Sequence, residues 1–275
     1  MQQAADFLDE SLALSELIAP LSDTDYTQKT AFKDWTIDMV LRHLHFWNTA
    51  ALLSVKDEAA FQALVSGLTD ALREGALPDH EYAYFEGLSG RALREDWLVM
   101  ADRTADVFAQ TDPSQRLQWV GPSMSARSSI TARLMETWAH GQEVYDQLGV
   151  VRENNDRIRN IVVLGVNTYG WTFANRKLPA PGPMPFLSLT APSGEIWTYG
   201  EEQDDERIAG RAEEFCQVVT QVRNVADTSL SVSGKIAQSW MTQAQCFAGP
   251  PQPPPAAGTR RTRTASTAIT ASVIW

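Results

Sequence analysis

The chain has 275 residues, 44% of them apolar, and a formal net charge of −11. Its length can build a sizeable core and favours two packed units, one large and one small. The negative charge repels phosphate backbones, so non-specific nucleic-acid binding is disfavoured and small molecules are the expected partners.

No segment resembles a signal peptide or approaches the ~18 apolar residues of a membrane span, which predicts a cytoplasmic protein without membrane contact. With only Cys216 and Cys246, the chain has too few cysteines for a disulfide framework or a cysteine zinc cluster.

Apolar residues recur at helical spacing through the first half of the chain. A first amphipathic helix is predicted over residues 6–21. The second begins after Thr36, whose hydroxyl suits an N-cap, and continues to about Val55. The remaining helices are predicted over 57–73, over 82–110, from a cap at Ser128 or Ser129 to Gly149, and over 155–175.

The pattern changes at residues 179–185, a Pro-rich connector that cannot be helical and predicts a domain boundary. Beyond it, the runs 186–190 and 195–199 flank a Pro-Ser-Gly turn, which predicts a β-hairpin. A helix over 212–222, a strand over 229–233 and a helix over 236–247 complete a small α/β unit. The predicted parts are a helical bundle (1–178), a small α/β domain (179–248) and a disordered Pro-rich tail (249–275).

Four histidines and one glutamate are the first candidates for a functional site. Glu136 and His140 are four residues apart in a predicted helix, so their side chains lie on one face and could bind one cation. Many exposed helices carry such a pair, however, and the apolar stripe of this helix lies roughly opposite it. His43 lies on the apolar face of the second helix, where a buried imidazole needs either a hydrogen-bond partner or a metal. His45, on the other side of that helix, and His80, in a predicted loop, are expected at the surface.

Two stretches of sequence resemble the signatures of a known family. Residues 121–149, which include Glu136-Thr-Trp-Ala-His140, closely resemble a motif of the mycothiol-dependent maleylpyruvate isomerase family, within the DinB-like superfamily. The stretch from Asp34-Trp35-Thr36 to His43-Leu44 resembles its other hallmark. Residues 173–177, 191–198 and 215–216 resemble one uncharacterised metal-binding branch of that family.

The resemblance implies a fold and a metal site. The fold class is α+β, a DinB-like four-helix bundle followed by a small α/β C-terminal domain. His43, Glu136 and His140 match the family's ligands for a divalent metal, zinc above all, and nickel or iron also suits these donors. Asn48 departs from the family pattern, in which an aspartate at this position is common, so any negative charge or acid/base role there is lost.

Two imidazoles and one carboxylate are the ligand set of catalytic zinc sites, which leave a position for water or substrate. The resemblance therefore implies an isomerase or transferase that uses a metal and a low-molecular-weight thiol on a small electrophile, such as an unsaturated acid. A non-catalytic metal- or ligand-binding module is the alternative. A protein related to RNA modification is a third hypothesis, which the negative charge disfavours. Arg176 and Arg223 could pair with substrate carboxylates, although ordinary surface arginines are commoner, and the apolar helix faces leave a homodimer open.

Overall fold

The computed structural model describes residues 1–262, except for the side chains of Thr69 and Leu72. Residues 1–148 form the helices and the short strand pair of the bundle. In chain order these are α1 (Gln2–Ile18), α2 (Ile37–Lys56), α3 (Glu58–Val65), α4 (Leu68–Glu74), α5 (Leu77–Tyr84), α6 (Gly90–Gln110), β1 (Arg116–Leu117), β2 (Met124–Ser125) and α7 (Ala126–Leu148). Helices α1, α2, α6 and α7 pack side by side as the four-helix bundle. The predicted bundle is confirmed.

The two helices that matter most for the site begin at capping hydroxyls. Thr36 accepts a hydrogen bond from the backbone N–H of Met39 at 3.2 Å, so the predicted cap of α2 is confirmed. Helix α7 begins one turn earlier than predicted, because Ser125 accepts from the N–H of Ser128 at 3.1 Å. Gly149 ends α7 in the left-handed conformation with φ of 70°, as the sequence indicated.

Three predicted long helices are divided in the structure. The helix predicted over 57–73 breaks at Gly67, and the one over 82–110 breaks at Gly87; each glycine has a φ of +78°. The helix predicted over 155–175 breaks at Thr168, whose hydroxyl bonds back to the carbonyl of Leu164 at 2.8 Å. Periodicity alone predicts these segments as continuous, because an apolar stripe can continue across breaks of one to five residues.

Residues 159–241 add a small α/β unit. Its elements are α8 (Arg159–Asn167), α9 (Tyr169–Ala174), β3 (Phe186–Thr190), β4 (Ile196–Tyr199), β5 (Arg207–Arg211), α10 (Ala212–Val219), β6 (Ser231–Ser233) and α11 (Lys235–Met241). The sheet order is β4-β3-β5-β6. The predicted β3–β4 hairpin is confirmed, whereas β5, which pairs in parallel with β3, was not predicted. Its sequence, Arg-Ile-Ala-Gly-Arg, offers one large apolar side chain, which is too weak a strand signal.

One hydrophobic core joins the bundle to the α/β unit. It includes Phe7 and Trp138 from the bundle together with Leu187, Phe215 and Trp240 from the second unit, all of them buried. Helix α10 packs on both α8 and the sheet and so links the two layers. The domain boundary at residue 178 stays a prediction. None of the helices in the described part of the chain is long and apolar enough to cross a membrane.

Residues 249–262, which we call the C-terminal strap, differ from the predicted disordered tail. Arg176 and Gln221 donate to the carbonyl of Gln252 at 2.7 and 2.9 Å, and Asn224 donates to the carbonyl of Pro255 at 2.9 Å. Proline lacks an N–H but keeps its carbonyl acceptor, so a Pro-rich composition does not prevent such docking. The rest of the predicted tail, residues 263–275, lies outside the described residues.

Candidate metal centre

Helices α2 and α7 bring together the three residues predicted as metal ligands. His140 Nε2 lies 3.3 Å from Glu136 Oε2, and His43 Nε2 lies 3.7 Å from the same oxygen. One ligand atom from each residue lies within 4.8 Å of the other two. The i,i+4 spacing on α7 places Glu136 and His140 on adjacent turns, and α2 supplies His43 from across the helix interface.

The Glu136–His140 face is covered, which the sequence alone disfavoured. The side chain of Glu136 is 22% exposed and that of His140 is 11% exposed. The apolar stripe of α7, with Leu134 and Trp138, is fully buried on the opposite side. Helix α7 therefore has neighbours on both sides, and the helical wheel could not show this because the second cover comes from distant segments.

Aromatic rings of the turn before α2 enclose the two imidazoles. Trp35 stacks on His140 with ring centroids 5.7 Å apart and an interplanar angle of 10°, and it meets the edge of His43 at 5.2 Å. Phe32 packs edge-on against His140 at 5.0 Å. These contacts restrict imidazole rotation and exclude water from this side of the cluster. The sequence motif Asp34-Trp35-Thr36 resembles a family hallmark but does not by itself indicate this packing role.

Glu81 on α5 is a site residue that the sequence did not reveal. It is 1% exposed, and its Oε1 lies 2.9 Å from His43 Nδ1. A carboxylate on Nδ1 fixes the tautomer and orientation of the ring, so that Nε2 is directed at Glu136 and His140. No pattern around residue 81 pairs it with a histidine 38 positions earlier.

The charges of the cluster are strongly coupled. Burial opposes a charged His43, but Glu81 and Glu136 outweigh burial and raise its pKa to about 9. Burial lowers the pKa of His140. Although burial alone would raise the pKa of Glu136, hydrogen bonds with His140 and His43 hold it well below its ordinary value. The two carboxyl groups therefore favour the protonated form of His43, which a bound cation would displace.

A cavity of about 180 Å³ opens beside the cluster. Glu136, Ala139 and His140 form its floor on α7. Its other walls come from four distant segments, namely the turn before α2, the loop after α10, the segment after α11 and the strap. Those walls are Phe32, Lys33, Thr220, Gln221, Val222, Phe247, Gln252, Pro253, Pro255 and Arg260.

Comparisons with known proteins agree with this architecture. A family model described as the mycothiol maleylpyruvate isomerase N-terminal domain matches residues 7–145. Two uncharacterised proteins of Mycobacterium tuberculosis, from strains CDC 1551 / Oshkosh and H37Rv, are each 38% identical over 247 residues, which cover 90% of this chain and 95% of the relative. The chain belongs to the mycothiol maleylpyruvate isomerase family. The predicted family is thus confirmed.

Solved structures of the family share the fold. The crystal structures of the mycothiol-dependent maleylpyruvate isomerase and of a histidine-to-alanine mutant each align with a TM-score of 0.52 and 15% identity. Each alignment covers 79% of this chain and 87% of the other. At this identity the likeness establishes the fold alone, and it supports the predicted α+β class.

Arg133 on α7 and Asn48 on α2 are buried polar residues. Arg133 is 4% exposed, and its Nε and Nη1 have no hydrogen-bond partner among residues 1–262. Its charge faces Glu136 and Glu81, while burial lowers its pKa. Asn48 is fully buried, and neither atom of its amide is paired within the same residues. A neutral amide at this position carries no charge for burial to penalise.

The other two histidines correct the sequence prediction. His45 is buried rather than exposed, because α6 covers its side of α2 and Asp96 Oδ2 lies 2.9 Å from its Nε2. His80 lies in α5 rather than in a loop, half-buried and edge-on to Phe46 at 5.8 Å. Neither belongs to the three-residue cluster.

The two arginines considered for substrate carboxylates are engaged elsewhere. Arg223 is buried and pairs with Asp146 at 2.7 Å. Arg176 donates to the carbonyls of Thr172 and Gln252 at 2.9 and 2.7 Å. Neither lines the cavity.

The donor chemistry of the cluster fits a divalent metal. Two imidazole nitrogens and one carboxylate oxygen converge, and the second nitrogen of His43 is held by Glu81 in the manner common to metal-binding histidines. Glu136 forms no ion pair with a lysine or arginine in the described part of the chain, so its oxygen is not committed to a competing guanidinium or ammonium group.

Proposed function

We propose that the protein is a divalent-metal-dependent isomerase or transferase that uses a low-molecular-weight thiol on a small electrophile, such as an unsaturated acid. His43, Glu136 and His140 are the proposed metal ligands. The observation that carries the proposal is the convergence of their ligand atoms within 4.8 Å of one another, beside a cavity that Glu136 and His140 line. Zinc is the proposed metal, since two imidazoles and a carboxylate are a catalytic zinc set, with nickel and iron as the alternatives.

The thiol must come from outside the chain. Cys216 and Cys246 are both buried, and burial raises the pKa of each thiol above its ordinary value. Neither is therefore a thiolate at neutral pH, and neither lines the cavity. The family name supplies a candidate, mycothiol.

The residues of the site have separable roles in this proposal. A bound divalent cation would act as a Lewis acid that favours the thiolate form of a thiol in the cavity. Glu81 orients His43, while Trp35 and Phe32 hold His140 and exclude water from one side. Exclusion of water strengthens electrostatic interactions inside the cavity.

A thiol-dependence assay tests the proposed function. Metal-loaded protein should isomerise maleylpyruvate or a related unsaturated acid, followed by the change in ultraviolet absorbance, only when mycothiol or another small thiol is present. The His140→Ala variant should be inactive under the same conditions. Metal-loaded protein that turns over none of these acids with any thiol would support the non-catalytic binding module instead.

Replacing Glu81 with glutamine should weaken metal binding by about 10–100-fold, because a carboxylate partner raises the basicity of a ligating imidazole. A competition titration of zinc against a chromogenic chelator measures the change. Asp96→Asn is the matched control, since Asp96 makes the same 2.9 Å contact with His45 outside the cluster. Equal zinc affinities for Glu81→Gln and the wild-type protein would show that Glu81 does not contribute to metal binding.

A further inference from the structure

The C-terminal strap forms one wall of the cavity beside His140. Gln252, Pro253, Pro255 and Arg260 all line it, although they lie beyond residues 7–145, which match the family model. Hydrogen bonds hold the strap at Gln252 and at Gly258. The carbonyl of Gln252 accepts two hydrogen bonds, and the N–H of Gly258 donates to Asp227 at 2.8 Å.

Arg260 is the charged residue that the strap brings to the cavity. Its side chain is 15% exposed, and its Nη1 donates to Glu143 Oε1 at 2.9 Å and to the carbonyl of Gln221 at 3.0 Å. Within residues 1–262, no hydrogen bond uses its Nε or Nη2. A guanidinium with free donors at a cavity wall can bind a carboxylate in a bidentate manner.

The cavity has a second cation and few competing anions. Lys33 also lines it, and the charged groups of Lys33 and Arg260 lie 5.1 and 5.2 Å from the ring centre of Phe32. Of the two lining carboxylates, Glu136 is paired with the histidines. The other, Glu143, pairs with Arg260 through Nη1 alone, and burial raises its pKa to about 7. The walls therefore favour an anionic ligand.

We propose that Arg260 binds a carboxylate of the small ligand that occupies the cavity, so that the strap is part of the binding site and selects acids over neutral analogues. The inference rests on the proposed function in that it places this ligand beside the candidate metal ligands. It assigns the recognition of charge to a residue outside the region matched by the family model. Phe32 connects the two parts, since it contacts both Arg260 and His140.

Calorimetric titration of the full-length, zinc-treated protein tests this assignment with unreactive probes. Succinate carries two carboxylates, and succinamide is its uncharged diamide. The wild-type protein should bind succinate more tightly than succinamide. Arg260→Ala should weaken succinate binding by roughly 10–100-fold, the effect of losing a hydrogen bond to a charged group, and should leave succinamide binding unchanged.

Arg261→Ala is the matched control, because Arg261 is the adjacent arginine, is exposed and does not line the cavity. It should bind succinate as the wild type does. Arg260→Lys keeps the charge but loses the planar fork, so it should lose part of the affinity. If circular dichroism shows that Arg260→Ala does not fold, the succinate affinity of Arg260→Lys is compared with that of the wild type instead.

Three outcomes would overturn the assignment: no succinate binding by the wild type, equal binding by wild type and Arg260→Ala, or an equal loss in Arg261→Ala. Zinc content is measured on the same samples. Full zinc content together with Arg260-independent succinate binding would overturn the anion site and leave the proposed metal site standing. If the protein takes up no metal but binds succinate in a manner that depends on Arg260, the anion site stands and the proposed metal site is wrong.

Discussion

Replacing His140 with alanine should reduce bound zinc from about one equivalent per chain to near zero. The change removes one of two imidazole ligands and leaves Glu136 and His43 free to pair with each other, as their 3.7 Å separation already permits. Elemental analysis of tag-free protein, purified without chelator and then incubated with zinc, measures the effect.

His80→Ala is the control for the loss of a half-buried imidazole, since His80 contacts Phe46 and does not belong to the cluster. It should retain the zinc of the wild type. If the wild-type protein takes up no divalent ion, the three residues form only a hydrogen-bonded cluster, and the proposed metal site is wrong.

Replacing Glu10 with glutamine should destabilise the fold by about 3–5 kcal/mol, because it leaves buried guanidinium groups without their counter-charge. Glu10 is 2% exposed. Its Oε2 accepts from Arg157 Nε at 2.7 Å, and its Oε1 pairs with Arg152, which is also buried. Urea unfolding at neutral pH measures the loss. The control is Asp204→Asn, which breaks the exposed pair with Arg207 and should leave the midpoint nearly unchanged.

The same ion pairs predict a pH dependence. Burial opposes a charged Glu10, but Arg152 and Arg157 outweigh it and lower its pKa below the ordinary value of 4.5. A carboxyl group with a lower pKa in the folded state contributes stability that is present above its unfolded pKa and is lost as the pH falls through the folded one. The difference in unfolding free energy between wild type and Glu10→Gln should therefore shrink below about pH 4.5. If this free-energy difference stays constant down to pH 2, ionisation of Glu10 is not the source of the stabilisation.

The parts of the fold that local chemistry determines could be predicted from the sequence. Thr36 and Gly149 mark the ends of α2 and α7 because capping and left-handed turns depend on few neighbouring residues. The i,i+4 spacing of Glu136 and His140 likewise predicts a shared helix face. These local signals, with the family resemblance, were sufficient to name the three residues that the structure brings together.

The remaining features depend on contacts that are distant in sequence. Glu81 meets His43 only because the short helix α5 packs on α2. His45 is buried because α6 covers it, which no helical wheel of α2 alone can show. Strand β5 forms because it pairs with β3, since its own composition gives only a weak strand signal. The strap has the composition of a disordered tail, but its backbone carbonyls accept hydrogen bonds from residues distant in sequence, such as Arg176.

The position of the strap in the sequence also sets the order in which the cavity is assembled during synthesis. The three clustered residues lie within the first 140 positions and are therefore synthesised before the strap. Arg260 reaches Glu143 across 117 residues of sequence, and domains generally fold from the N-terminus as the chain is made. The wall that carries Arg260 is therefore the last part of the cavity to be synthesised.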